Sequence, residues 1–226
     1  LLNLAANLGS APFERFDARL FVDQSRPRES QRQIIEGYKA WHDRQTTRLK
    51  QAQDQSLCSQ TPSLLWMQNA GLGDSAFSLS SALLSAIRSG RLLFVDWRLR
   101  AQNRTSSLPW RKFLEAPFAW DWHEAMASQV VCPKVVDGHV RDEHVIVFEH
   151  GRLVQFQPGN RHGAQWAAAP VPEAPAARGE DKFWWAAAGG ELALKTLFQP
   201  SNELLQAPVY RQTRQKLQQA SSSGAK

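Results

Sequence analysis

The 226-residue chain has few cysteines, few methionines and no long apolar run. Cys58 and Cys132 permit at most one intramolecular bridge, which excludes a disulfide-stapled mini-protein and leaves the redox compartment open. The longest apolar stretches, such as Leu92-Leu93-Phe94-Val95, fall far short of the roughly 18 residues that span a bilayer. No basic-then-apolar leader opens the chain at Leu1, so membrane attachment is expected only through an anchor outside this sequence. His123-Glu124, His144 and His150 are the histidine pairings worth testing for a metal, but no H-x-x-x-H or Cys/His cluster of ligand spacing exists, and no metal site is expected. Charge of one sign is scarce as well: 27 Lys+Arg against 21 Asp+Glu give +6. The basic stretch from Arg26 to Lys50 is interrupted by Glu36 and Asp43 and lacks ordered aromatic interleaving, which predicts a solvated helix face and no nucleic-acid partner.

What is present is ordinary globular material, 42% hydrophobic, without an internal repeat. Residues 1–60 read as an N-terminal helical region. Within it Ile34, Ile35, Tyr38, Trp41 and Leu49 recur near helical spacing after Pro27, with Ser25 as a candidate cap. Gly37 is the weak point of that helix. The run Leu64-Leu65-Trp66-Met67 predicts a buried strand feeding the turn-prone Asn69-Ala70-Gly71-Leu72-Gly73-Asp74, where Asp74 is a candidate N-cap. Ala76, Leu79, Ala82, Leu83, Ala86 and Ile87 repeat at three and four and predict a helix, with Gly90 at its left-handed end. Leu92 to Val95 predicts a strand covered on both faces, and the whole makes a parallel β-loop-α-β unit.

Glu143 to Phe156 predicts a hairpin turning at His150-Gly151, and Ala167 to Ala177 a flexible Pro/Ala-rich connection. Leu192 to Phe198 predicts a helix halted by Pro200, followed by another capped by Ser201. Residues 206–226 read as a further helical piece, frayed after Leu217.

The candidate site is Gly71-Leu72-Gly73-Asp74-Ser75-Ala76 between strand and helix, with Asp96 closing the next strand. Glycines allow a tight turn and let a phosphate approach helix N-terminal amides, so the pattern fits a dinucleotide fingerprint with Ala in the third glycine place. Glycine turns of this kind also serve merely to join strand to helix, so the residues leave open an NAD-binding oxidoreductase domain or a non-catalytic interaction module that binds a partner through exposed aromatics. Asp96, Trp97 and Arg98 sit at the carboxyl edge of a parallel strand, where α/β proteins bind ligands; Asp96 and Arg98 could equally pair with each other. Trp97, Trp110, Trp120 and Trp122 could form a sugar platform or simply core. Asn103-Arg104-Thr105 is a glycosylation sequon.

These motifs resemble the first βαβ unit of the inverting fucosyltransferases, the plant xyloglucan-type and the nodulation-type. The resemblance runs through Gly71-Leu72-Gly73-Asp74, Leu79 to Ala86, and Ser89-Gly90-Arg91-Leu92-Leu93-Phe94-Val95-Asp96-Trp97-Arg98. Upstream, Tyr38-x-x-Trp41-His42-x-Arg44 is similar to a family Y-x-x-L-H-x-R, and Cys58 stands where that family has cysteine. Downstream, Leu197-Phe198-Gln199-Pro200-Ser201 is similar to its L-F-x-P-[ST] segment. Coverage is roughly Tyr38 to Leu205, in the same order.

The resemblance implies an α/β fold. Residues 61–205 would be the Rossmann-like N-terminal domain, with insertions, of a two-domain glycosyltransferase. It implies GDP-fucose as substrate, a glycan hydroxyl as acceptor and no cofactor or metal. A Golgi or secretory-pathway location follows for a eukaryote, a cytoplasmic one for a bacterium. Gly71, Leu72, Gly73, Asp74 and Ser75 would form the cleft loop, and Asp96, Trp97 and Arg98 the cleft edge. The donor-binding domain, with the family's H-x-R-x-G-D, is expected outside this sequence, and His139-Val140-Arg141-Asp142 is not expected to replace it. Ser75 stands where many members carry Arg, which puts a phosphate or sugar contact in doubt.

Overall fold

The structure is a computed structural model that describes residues 13–21, 23, 25–67, 72–101, 104–107, 113–136, 139–149, 152–156, 166–168 and 187–222. It is an α/β fold, Rossmann-like in general terms. Its centre is a five-stranded sheet in the order β2-β1-β7-β8-β9. β1 (Ser63–Met67) lies between β2 (Leu92–Asp96) and β7 (Val145–Glu149), parallel to both. β8 (Arg152–Phe156) and β9 (Trp166–Ala168) extend it antiparallel. Two ribbons stand apart: β3 (Arg98–Ala101) with β4 (Arg104–Ser107), and β5 (Val135–Val136) with β6 (His139–Val140).

The β1-helix-β2 unit forms as its periodicity predicts. Helix α3 spans Leu72–Ser89 and buries Leu79, Ala82, Leu83, Ala86 and Ile87. It ends at Gly90, whose φ of +61° only glycine adopts readily; a Cβ there would meet Phe16 O at 2.9 Å. The chain then enters β2, every residue of which is buried, as a strand covered on both faces must be. The hairpin β7-β8 also forms, with Glu149 opposite Arg152.

Helix α1 (Pro27–Ala52) packs along β2 and shares its core. Its residue Gly37 admits the Phe21 ring, which a Cβ would approach to 2.7 Å, so glycine there serves packing and does not break the helix. Ser25 is not the cap. The N-cap position is Arg26, which makes no side-chain capping bond, while the Ser25 hydroxyl donates to Asp23 Oδ1 at 2.7 Å. Helix α2 (Gln55–Ser59) follows, capped by Asp54, then α4 (Trp122–Ala127), capped by Asp121. A disulfide joins Cys58 of α2 to Cys132 beyond α4, with Cα atoms 5.1 Å apart.

At the other end α5 (Ala187–Leu197) packs on α3 and α1 and stops before Pro200. Ser201 caps α6 (Asn202–Gln206), its hydroxyl accepting from Leu204 N–H at 3.1 Å. Helix α7 (Pro208–Ser222) remains helical past Leu217, where fraying is predicted: five more residues carry the 3.6-residue hydrogen-bonding pattern. Of the predicted flexible connection, Ala167 and Ala168 are drawn into β9 by pairing with Gln155 and Val154; residues 169–177 lie outside the described residues. Among the described residues no helix is long and apolar enough to cross a membrane.

Candidate functional site

Among the described residues, strand β2 has β1 on one side and no strand on the other. Its open edge presents the backbone groups of residues 91, 93 and 95, because alternate residues point the same way. Helix α1 closes it with side chains. Tyr38 donates its hydroxyl proton to Arg91 C=O at 2.8 Å and accepts from Leu93 N–H at 3.0 Å. One turn later, His42 Nε2 donates to Leu93 C=O at 3.0 Å. Burial pushes the Tyr38 phenol further above its ordinary range and pulls His42 down to about 3, so the ring stays neutral. The Y-x-x-W-H spacing therefore puts two hydrogen-bonding side chains four residues apart on one helix face, where they complete a sheet edge. Trp41 packs beside them, its ring 5.4 Å from Tyr38 and its indole N–H bound to Glu14 C=O.

Further along, the edge is taken over by backbone. Val95 N–H donates to Trp120 C=O at 2.7 Å, and Asp121 bridges Val95 in parallel sense. The chain then turns into α4, where the Asp121 carboxylate accepts from Glu124 N–H at 2.9 Å. That turn returns His123 to the end of β2, where its Nε2 lies 3.3 Å from Asp96 Oδ1. The Asp96 side chain is 2% exposed and that of His123 42%.

Asp96 pairs in register with Met67, the last residue of β1. Asp96 and His123 therefore sit at the carboxyl ends of the parallel strands, in the position where open α/β sheets bind ligands. Gly71 itself lies outside the described residues. Helix α3 begins at Leu72, so Leu72, Gly73, Asp74 and Ser75 form its first turn and not a loop. Asp74, the third helical residue, cannot be the N-cap, which must precede the first. Ser75 is buried, 1% exposed. Ser78 links this turn to β1, donating to Ser75 C=O at 3.1 Å and accepting from the Trp66 indole at 3.0 Å.

Trp97, Trp120 and Trp122 are buried among one another and Phe94, Phe118 and Trp66. Ring centroids lie 5.2 Å apart for Trp66–Trp97 and 6.2 Å for Trp97–Trp120. They are core, and the sugar platform is not formed by them; Trp110 lies outside the described residues. Arg98 opens β3, and Asn103 lies outside the described residues. In the His139-Val140-Arg141-Asp142 segment, Asp142 serves a turn, accepting from Lys134 N–H at 3.1 Å and His144 N–H at 2.8 Å. Among the described residues no three His, Cys, Asp or Glu side chains gather as a metal site would need.

Motif reading weighs His123 only beside Glu124 as a metal pairing, and does not join it to Asp96. His123 stands 27 positions after Asp96, and no spacing rule links a strand end to a helix that arrives by way of a bridge. Compared with known protein families, curated proteins and solved structures, the chain matches none.

Proposed function

We propose that this chain is the acceptor-side half of a fucosyltransferase-like glycosyltransferase. The complete enzyme transfers fucose from GDP-fucose to a hydroxyl of a glycan, and its donor-binding half holds the diphosphate. The observation that carries the reading is that the Tyr38-to-His42 motif meets the strand of the Gly90-to-Asp96 motif, 51 to 53 residues away in sequence. Tyr38 and His42 complete the edge of β2, and Gly90 and Arg91 lead into it. The Leu197-to-Ser201 segment lies apart from β2, with Leu197 buried at the end of α5, which packs on α3 and α1, and Pro200 bridged to Leu114.

The chemistry asked of such an enzyme is divided. Negative charge growing on the departing diphosphate needs a cation and helix amides, which belong to the donor side. The acceptor hydroxyl needs positioning and a place for its proton, which belong to this side. A dinucleotide-binding role fits less well. The acid after the second strand would have to offer its carboxylate to a ribose, and that of Asp96 is buried against His123.

The test is to express the gene product that carries this chain and measure GDP release and fucose transfer with glycan acceptors, with and without a chelator. Metal-independent transfer is expected, with residues 1–226 inactive by themselves. No GDP-fucose turnover, together with a reading frame lacking H-x-R-x-G-D, would sink the proposal. Stabilisation by millimolar NAD in a thermal-shift titration would favour the dinucleotide reading instead.

A further inference from the structure

We infer that Asp96 and His123 form a general-base pair at the carboxyl edge of the sheet, in which His123 takes the proton from an incoming acceptor hydroxyl. The inference rests on the glycosyltransferase reading for the identity of that hydroxyl; the pair itself rests on geometry.

A carboxylate can only accept a hydrogen bond, so the 3.3 Å contact to Asp96 Oδ1 places the proton of the neutral His123 ring on Nε2. The lone pair is then on Nδ1. Among the described residues the ring makes no other hydrogen bond. It is held from the buried side by a carboxylate that is 2% exposed, while its own side chain is 42% exposed. That arrangement is the one in which a buried acid fixes the tautomer and orientation of an imidazole and stabilises the imidazolium that forms.

Docking of α4 does not need the histidine. The helix is capped by Asp121 and anchored by buried Trp122 and Ala125, and its backbone lead-in is tied to β2 through Val95. His123 is thus not needed to anchor α4, while its position is that of a ligand-binding edge.

In the proposed step the acceptor O–H gives its proton to His123 Nδ1. The oxygen lone pair forms the new bond to fucose C1, on the face opposite the leaving group. The bond from C1 to the diphosphate oxygen breaks, its electron pair leaving on GDP. Asp96 remains ionised throughout, and imidazolium returns its proton to water. His123 is the catalytic residue and Asp96 the positioning residue.

The test uses His123→Ala, His123→Gln and Asp96→Asn in the gene product that carries this chain. In both His123 variants kcat for transfer should fall about 100- to 10,000-fold, the usual worth of a positioned base, while KM for GDP-fucose stays within about threefold. Added imidazole should partly restore His123→Ala, which it would not do for a purely structural residue. Transfer retained within about threefold in His123→Ala, or a loss that imidazole leaves untouched in a variant with the wild-type melting temperature, would overturn the inference.

Two readouts need no turnover. Nitrogen NMR of the ring should report the Nε2–H tautomer at His123, and diethyl pyrocarbonate should acylate it several-fold faster in the wild type than in Asp96→Asn. An Nδ1–H tautomer, or equal rates, removes the pair whatever the enzyme does. If the wild type turns over no GDP-fucose while both readouts hold, the pair stands and the fucosyltransferase reading falls.

Discussion

Two histidines touch oxygens of the same strand, and their surroundings give them opposite chemistry. His42 meets the middle of β2, completely buried, its ring 4.5 Å from Phe118 and 5.5 Å from Phe94. His123 meets the end of β2 with much of its ring in water. The contacts are alike in length, 3.0 Å to a carbonyl and 3.3 Å to a carboxylate. In the dry interior an imidazolium has lost its hydration, so His42 stays neutral and acts as a hydrogen-bonding core residue. At the carboxyl edge the His123 ring meets both the Asp96 carboxylate and solvent, which is the geometry behind its proposed role as a base. The residue type is the same; depth decides the role.

The disulfide offers the strongest way to disturb this contrast, because Cys58 follows the helix that carries His42 and Cys132 follows the helix that carries His123. Its partners are 74 residues apart. Reduction should lower stability by about 4 kcal/mol on loop entropy alone, read as a fall in the urea midpoint with and without reductant.

His42→Ala comes next. It bares Leu93 C=O and leaves a cavity against Phe94 and Phe118, and should cost about 3 kcal/mol in the same denaturation experiment. A loss as small as that expected for His123→Ala would erase the distinction between the two sites.

Acid sharpens it. His42 binds its proton near pH 3 when folded and near 6.5 when unfolded. Between those values the unfolded state holds more protons, so stability is complete above the upper one and declines as pH falls through the window. At about pH 5 the expected penalty is about 2 kcal/mol relative to neutral pH. Denaturation curves of wild type and His42→Gln should diverge in slope across that range, and parallel slopes would refute the assignment.

Tyr38→Phe removes one hydroxyl that serves both Arg91 C=O and Leu93 N–H, with an expected loss of about 1–2 kcal/mol and faster exchange of the Leu93 amide. The smallest effect is that of His123→Ala on stability, about 1 kcal/mol, since α4 is held by other groups and the loss is one hydrogen bond to the buried Asp96 carboxylate, which keeps a further interaction. Loss of several kcal/mol there would make His123 a structural residue like His42.

Local pattern made much of the fold legible. The spacing of Leu79, Leu83 and Ile87, the Gly90 stop and the unbroken apolar run of β2 each follow from period, φ and burial, and the β7-β8 hairpin follows from alternation around a turn. Where reading failed, it failed at ends. Asp74 has the chemistry of a cap, but the helix begins at Leu72, and Ser25 turns to Asp23 in place of the helix. End positions depend on which of several nearby polar groups wins, and neighbours decide that.

The candidate site was legible only in part. Gly73, Asp74 and Asp96 stand out in a short span, whereas the partner of Asp96 does not. Nor does sequence foretell that β7, 82 positions after β1 by the pairing of Ser63 with Val145, enters the sheet beside it.

The amino-acid sequence by itself determined a βαβ unit, its strand burial and its glycine stop, because these rest on interactions between residues a few positions apart. Only the tertiary structure decided that Tyr38 and His42 complete a sheet edge, that three tryptophans are core, and that His123 meets Asp96. Such contacts depend on where distant segments come to rest against one another, and no local spacing carries that information.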